Sequence, residues 1–272
     1  MTTHSPLIDI NALARNRARA RPDLLYLHSA AAEDVQDRLS LVNKRFTSMA
    51  VVTPFPEIWK EIWPRAHYVP DTEALALEVG AHDLVVHGLC LQWSNDPVGQ
   101  LIQCRRALKP DGLMIATLFG GQTLNELRVC LSEAEVALTG GLSPRIAPMG
   151  EIRDLGALLQ RAGFALPVAD STLIRGEYPS MTRLMLELRG MGEGNALTGR
   201  SRVPTRSSLF EHASALYVKH YGNAQGRISA TFEFVTLTGW GPDDSQQQPL
   251  RPGSARQRLA DALAVPEIKL PD

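Results

Sequence analysis

His82–Pro110 reads HDLVVHGLCLQWSNDPVGQLIQCRRALKP and runs straight into Asp111–Gly121, DGLMIATLFGG. Leu84–Val86 is a short apolar run of the kind that fills a strand buried on both faces. Asn95-Asp96-Pro97 then offers a helix cap followed by proline at the first turn, where its missing N–H costs nothing. Apolar positions recur at helical spacing to Leu108, and Lys109-Pro110-Asp111-Gly112 ends the segment. Leu113–Leu118 is a second buried run. Strand, helix and strand in this order make one βαβ crossover. The fold class is therefore α/β with a mostly parallel sheet, and such sheets bind ligands beyond the carboxyl ends of their strands.

Upstream, Leu25–Phe46 places Leu27, Ala31, Val35, Leu39 and Val42 three or four apart, which predicts an amphipathic helix. Ser48–Thr53 is an apolar strand stopped by Pro54 and Pro56. Phe55–Trp63 predicts a short helix and Ala66–Val69 a brief strand. Downstream, Thr123 and Glu126 match a capping box, so a helix is expected from Thr123 to Leu138. Met149–Ala162 is a helix ended by Gly163, Leu166–Ile174 a strand, and Ser180–Arg189 and Ser207–Tyr221 are helices. Arg227–Trp240 alternates as an antiparallel strand does. From Gly241 the chain turns polar, with a terminal helix expected over Ser254–Leu263. The segments expected are an N-terminal helical stretch, 1–46, a main domain, 47–241, and a polar tail, 242–272.

The 272 residues are 44% hydrophobic and 21% charged, ordinary for a globular domain with a sizeable core. A net charge of −1 gives no global field for nucleic acid, so no nucleic-acid partner is expected. Arg15, Arg17, Arg19 and Arg21 make one basic helix, read as a solvated face. No apolar run is long enough to span a membrane, and the N-terminus lacks the apolar core of a secretion signal. A cytoplasmic location is expected. Cys90, Cys104 and Cys130 form no CxxC pair or ligand spacing, so they read as buried apolar residues, and no metal is assigned.

Four short segments follow one another along the chain: Asp71-Thr72-Glu73-Ala74-Leu75, His82–Val86, Leu91-Gln92-Trp93-Ser94-Asn95-Asp96 and Leu108–Gly112. In this order they resemble class I S-adenosylmethionine (SAM)-dependent methyltransferases of the biotin-synthesis malonyl-carrier type. FGGQTLNELR (Phe119–Arg128), GGLSPRIAPMGEIRDLGALLQRAGF (Gly140–Phe164), YPSMTRLMLELRGMGEGNA (Tyr178–Ala196) and RPGSA (Arg251–Ala255) are closer to the branch of mitochondrial complex I assembly factors with a methyltransferase fold, associated with arginine hydroxylation. The resemblance covers roughly Leu25 to Leu263. It implies a Rossmann-like seven-stranded sheet with one antiparallel strand, SAM as cofactor, and a respiratory complex I subunit or assembly protein as partner. It also implies a glycine turn after the first strand, an acid for the ribose and a polar residue for the adenine.

Two departures follow. The turn after the first strand is Val52-Thr53-Pro54-Phe55-Pro56, with no glycine and two prolines that lack N–H donors. About 30 residues separate Thr53 from the Leu84–Val86 strand, room for one strand–helix unit where two are needed. The sheet is expected to be shortened by one such unit. Asp71 suits either the ribose acid or the adenine-side loop, or else a helix cap or surface loop. The cofactor-binding candidates are Thr53, Asp71, Thr72, His87 and Gly88. His87, at a strand's carboxyl end, is the catalytic candidate as a base, against a packed, hydrogen-bonded histidine. Trp93 reads as core rather than as a cofactor platform. Gly120-Gly121 either admit a substrate or simply make a turn. Arg128 and Arg145 either contact an acidic group or, as lone arginines usually do, face water. The expected function is a methyltransferase-family protein with a degenerate cofactor loop; the alternative is a non-catalytic assembly or scaffold protein that no longer binds SAM. A dinucleotide oxidoreductase is disfavoured because GxGxxG is absent.

Overall fold

The structure is a computed structural model that describes residues 6–247. The chain divides into two compact units, Met1–Pro242 and Asp243–Asp272. In the second, only residues 243–247 are described, where Asp243 Oδ1 accepts from the N–H and hydroxyl of Ser245. The helix expected over Ser254–Leu263 and the RPGSA stretch lie outside the described residues.

The first unit holds six strands and eight α-helices among the described residues. The strands are β1 (Met49–Val52), β2 (His67–Val69), β3 (His82–Gly88), β4 (Leu108–Phe119), β5 (Ala165–Tyr178) and β6 (Ile228–Trp240). They form one sheet in the order β2-β1-β3-β4-β6-β5. The first three pairings are parallel, while β6 runs antiparallel to both neighbours. The expected shortening is seen: β1 pairs directly with the three-residue β2, and only one short helix, α3 (Pro56–Lys60), lies between them.

Residue alternation makes the three layers. On one face, Val85, Met114 and Ala116 pack against α4 (Pro97–Ala107) and α6 (Ile152–Ala162) through Leu101, Cys104, Leu155 and Leu159. On the other, Leu84, Val86 and Ile115 pack against Ala32 and Val35 of α2 (Tyr26–Ser40) and Trp59 of α3. Further along this side, α5 (Asn125–Thr139), α7 (Met181–Gly190) and α8 (Ser207–Tyr221) cover Phe119, Phe232 and Phe234. The short helix α1 (Ile10–Arg17) packs through a separate small cluster. No described helix is long and apolar enough to cross a membrane.

Local signals place most boundaries. Asp96 caps α4 by accepting from Gly99 N–H at 2.8 Å, with Pro97 in the first turn. Gly163 ends α6 at φ +79°, a left-handed conformation that glycine adopts without Cβ strain. Two expectations are corrected. The helix expected to reach Phe46 stops at Ser40, and Val42 and Phe46 pack on the core from the connection that follows. The expected capping box does not form. Thr123 Oγ1 accepts from Glu233 N–H at 3.0 Å, and Glu126 accepts from the N–H and hydroxyl of Thr231. Both residues are recruited by β6, so α5 begins at Asn125 behind Leu124, which has φ 55° and no side-chain cap.

Candidate functional site

The carboxyl ends of β1, β3 and β4 lie side by side, because Val52 pairs with His87 and His87 with Ala116. The turn leaving β1 is closed from within. Thr53 N–H donates to Val69 C=O at 3.0 Å, and Phe55 N–H donates to Thr53 Oγ1 at 3.1 Å. Pro54 and Pro56 have no N–H. Phe55 is buried and meets His28 edge-on, with ring centroids 4.8 Å apart. A Cβ at Gly88 would run into the buried Trp59 ring, so this glycine serves close packing.

His87 is fully buried and both its ring nitrogens are engaged. Nε2 is 2.9 Å from Gln100 Oε1, and Nδ1 is 3.4 Å from Cys90 Sγ. Gln100 Nε2 donates to the Thr72 carbonyl at 3.0 Å, so its Oε1 accepts and His87 carries its proton on Nε2. Burial lowers the His87 pKa and raises that of Cys90. A neutral histidine beside an un-ionised thiol therefore links β3 to the 71–72 loop through Gln100. Thr72 is exposed, and its hydroxyl donates to Ala74 C=O.

Asp71 is neither a helix cap nor a surface acid. Its carboxylate receives Arg17 Nη1 at 2.8 Å, with the two side chains 14% and 9% exposed. This corrects the expectation that the basic N-terminal helix is simply solvated: Arg15, Arg19 and Arg21 face water, but Arg17 turns inward. Arg145 is likewise not water-facing, because Glu135 takes it in two hydrogen bonds. That guanidinium holds the Glu135 carboxyl down at about 2.

Two cavities meet at Trp93. One, of about 280 Å³, lies under α1 and is bounded by Leu13, Arg17, Asp71, Asn95 and Gln100. The other, of about 240 Å³, is mainly apolar, with Phe119, Leu127, Met149, Met185 and Phe232 as walls and Glu193 among its few polar groups. Glu193 accepts from Trp93 Nε1 at 2.7 Å, and burial pushes its carboxyl up to about 7. His28 is buried beside it, Nε2 lying 3.9 Å from Glu193 Oε1, with no hydrogen bond to either ring nitrogen among the described residues. Burial drops its pKa to about 3, with Arg17 pushing the same way, so it is neutral.

Of the sequence candidates, Asp71, Thr72 and His87 meet through Gln100, while Thr53 and Gly88 pack the sheet end. Arg17, His28, Gln100 and Glu193 were not singled out as site residues. Their only sequence signal is their type, since nothing in local spacing brings residues 17, 28 and 193 together. Among the described residues, no group of His, Cys, Asp and Glu is arranged to hold a metal ion.

Comparison with known proteins fits this architecture. The methyltransferase-domain family matches residues 42–116. The protein named arginine-hydroxylase NDUFAF5, mitochondrial, from Danio rerio is 38% identical over 206 residues, 76% of this chain and 64% of that one. Its Mus musculus counterpart is 42% identical over 205 residues, 75% of this chain and 60% of the relative. A malonyl-[acyl-carrier protein] O-methyltransferase from Xylella fastidiosa (strain M23) is 31% identical over 179 residues, 66% of this chain and 58% of that one. The chain thus spans less than two thirds of the length of each of these relatives. Residues 42–116 thus carry a methyltransferase domain, and the chain is similar over most of its length to the NDUFAF5 proteins and, at lower identity, to malonyl-carrier O-methyltransferases.

Proposed function

We propose that this chain is a methyltransferase-fold assembly protein of the respiratory complex I type that holds an arginine-bearing segment of a partner and does not use SAM. The β1 turn carries the reading. In this fold the cofactor relies on a close, glycine-built approach of the backbone, with free amides facing the ligand. Here both available amides are spent internally, two residues have none, and Phe55 fills the bend. The residues present do not fit a sulfonium nucleoside. On this reading Thr53, His87 and Gly88 stabilise the sheet end, and no residue is given the role of catalytic base.

The arginine half rests on charge and shape. An apolar cavity holding a buried carboxyl suits a guanidinium on an aliphatic stem, because ionising Glu193 against that cation recovers the cost of its desolvation. The relatives with the higher identity are named arginine-hydroxylases. Those relatives carry mitochondrial names, which do not support the cytoplasmic placement expected from the sequence.

Calorimetry with SAM tests the first half. No heat of binding up to millimolar SAM is expected. Saturable one-to-one binding at micromolar concentration would restore the alternative, a SAM-dependent transferase.

A further inference from the structure

Arg17 ends α1 with its guanidinium inside the protein. It places one nitrogen on Asp71, while Nε and Nη2 are buried with no hydrogen-bond partner among the described residues. An arginine paired with a structural carboxylate is often forked across both oxygens. Arg38 does this with Asp170, at 2.7 and 2.6 Å. Arg17 is instead seated by a single bond. Its charge also acts on Glu193, opposing the effect of burial there. Asp71 and Glu193, one at each cavity, therefore already feel the charge of an arginine of the chain itself.

The element carrying Arg17 is separable from the main cores. Ile8, Ala12 and Leu13 pack with Trp93, Ala147, Ala196 and Leu197 in a cluster of their own. No α1 side chain belongs to the three larger clusters that cover the sheet. Ile10, Leu13, Ala14 and Arg17 form the α1 wall of the larger cavity.

We propose that α1 is an autoinhibitory latch, with Arg17 occupying as an internal guest the place that a partner's guanidinium would take beside Asp71 and Glu193. This rests on the arginine-holding reading above. Displacement of α1 would then be the step that admits the partner.

The test titrates N-acetyl-arginine amide, with N-acetyl-citrulline amide as the uncharged control, into the wild-type chain and Arg17→Met. Binding at least tenfold tighter in Arg17→Met, absent for the citrulline probe and lost when Asp71→Asn is added, is the expected result. Equal affinity in wild type and Arg17→Met would overturn the latch and leave the arginine-holding reading standing. Lack of binding in both would overturn both. Should Arg17→Met not fold, hydrogen exchange on the wild type decides: millimolar arginine probe should speed exchange of the α1 amides at least tenfold. Unchanged α1 exchange would overturn the latch.

Discussion

Two turns leave the same edge of the sheet, one after β1 and one after β4, and both are filled although their sequences are opposite in character. Thr53-Pro54-Phe55-Pro56 looks rigid and closed, and it is closed, by its own hydrogen bonds. Gly120-Gly121 looks open but is equally full. A Cβ on Gly120 would lie 2.6 Å from Glu233 Oε2, and one on Gly121 would lie 2.5 Å from Glu151 Oε1. Gly120 N–H donates to Glu233 C=O, Gly121 N–H to Gly150 C=O, and Gln122 N–H to the Glu233 carboxylate. Glycine at a strand end therefore marks close approach, and the thing approaching can be the protein's own side chain as readily as a ligand. In this chain two cavities lie beside the turns and meet at Trp93.

The comparison breaks most visibly at Trp59, which fills the region behind the β1 turn and is fully buried. Trp59→Ala is expected to cost about 3–5 kcal/mol in urea unfolding, as large-to-small core changes do. A loss under about 1 kcal/mol would mean that this end of the sheet is loosely packed.

Glu193 gives the next effect, one that depends on pH. Its folded value, about 7, lies above the ordinary 4.5, so the folded chain holds this proton where the unfolded chain has released it. The associated stability is complete below pH 4.5 and is lost as pH rises through 7, by about 3 kcal/mol at most. His28 works oppositely: its pKa falls from 6.5 to about 3, so its contribution is complete above 6.5 and is lost as the solution becomes acidic. Glu193→Gln isolates the first slope. The wild-type unfolding free energy minus that of Glu193→Gln should decrease between pH 4.5 and about pH 7. Parallel pH curves would contradict it.

Glycine substitutions then rank the two sheet ends. Gly88→Ala drives a methyl into the Trp59 ring, whereas Gly120→Ala meets the end of the Glu233 side chain and Val235. Overpacking of this kind costs about 1–3 kcal/mol. Gly88→Ala should lie near the top of that range and Gly120→Ala near the bottom, because a carboxylate end moves more easily than an indole. The reverse order in thermal melts would show Gly120 to be the tighter position.

The smallest expected effect is none. Pro54→Gly with Phe55→Gly opens the β1 turn but does not supply the strand–helix unit missing between β1 and β3. SAM calorimetry on this double variant should still show no binding, and recovered affinity would mean that the turn alone had been the obstacle.

The α/β class, the crossover from β3 through α4 to β4, the missing unit and the late antiparallel strand were legible because each rests on local periodicity, caps or residue count. Asp96 and Pro97 start α4 whatever surrounds them. The site was less legible. Asp71 and His87 were found as strand-end residues, but Asp71 acquires its partner from a helix 54 residues earlier in the chain. The Thr123–Glu126 box misled for a related reason: the nearby β6 backbone competes for the same side-chain atoms and wins.

Taken alone, the sequence determined that strands and helices alternate, that the first turn has too few amide donors, and that the sheet is short. Those properties are set by chain covalency and by neighbours within a few residues. Only the tertiary structure decided that residues 17, 28, 71 and 193 share one buried region and that Trp93 lies between two cavities. Charge, burial and pKa depend on distances across space, and loop closure brings such distances together without leaving a periodic trace in the chain.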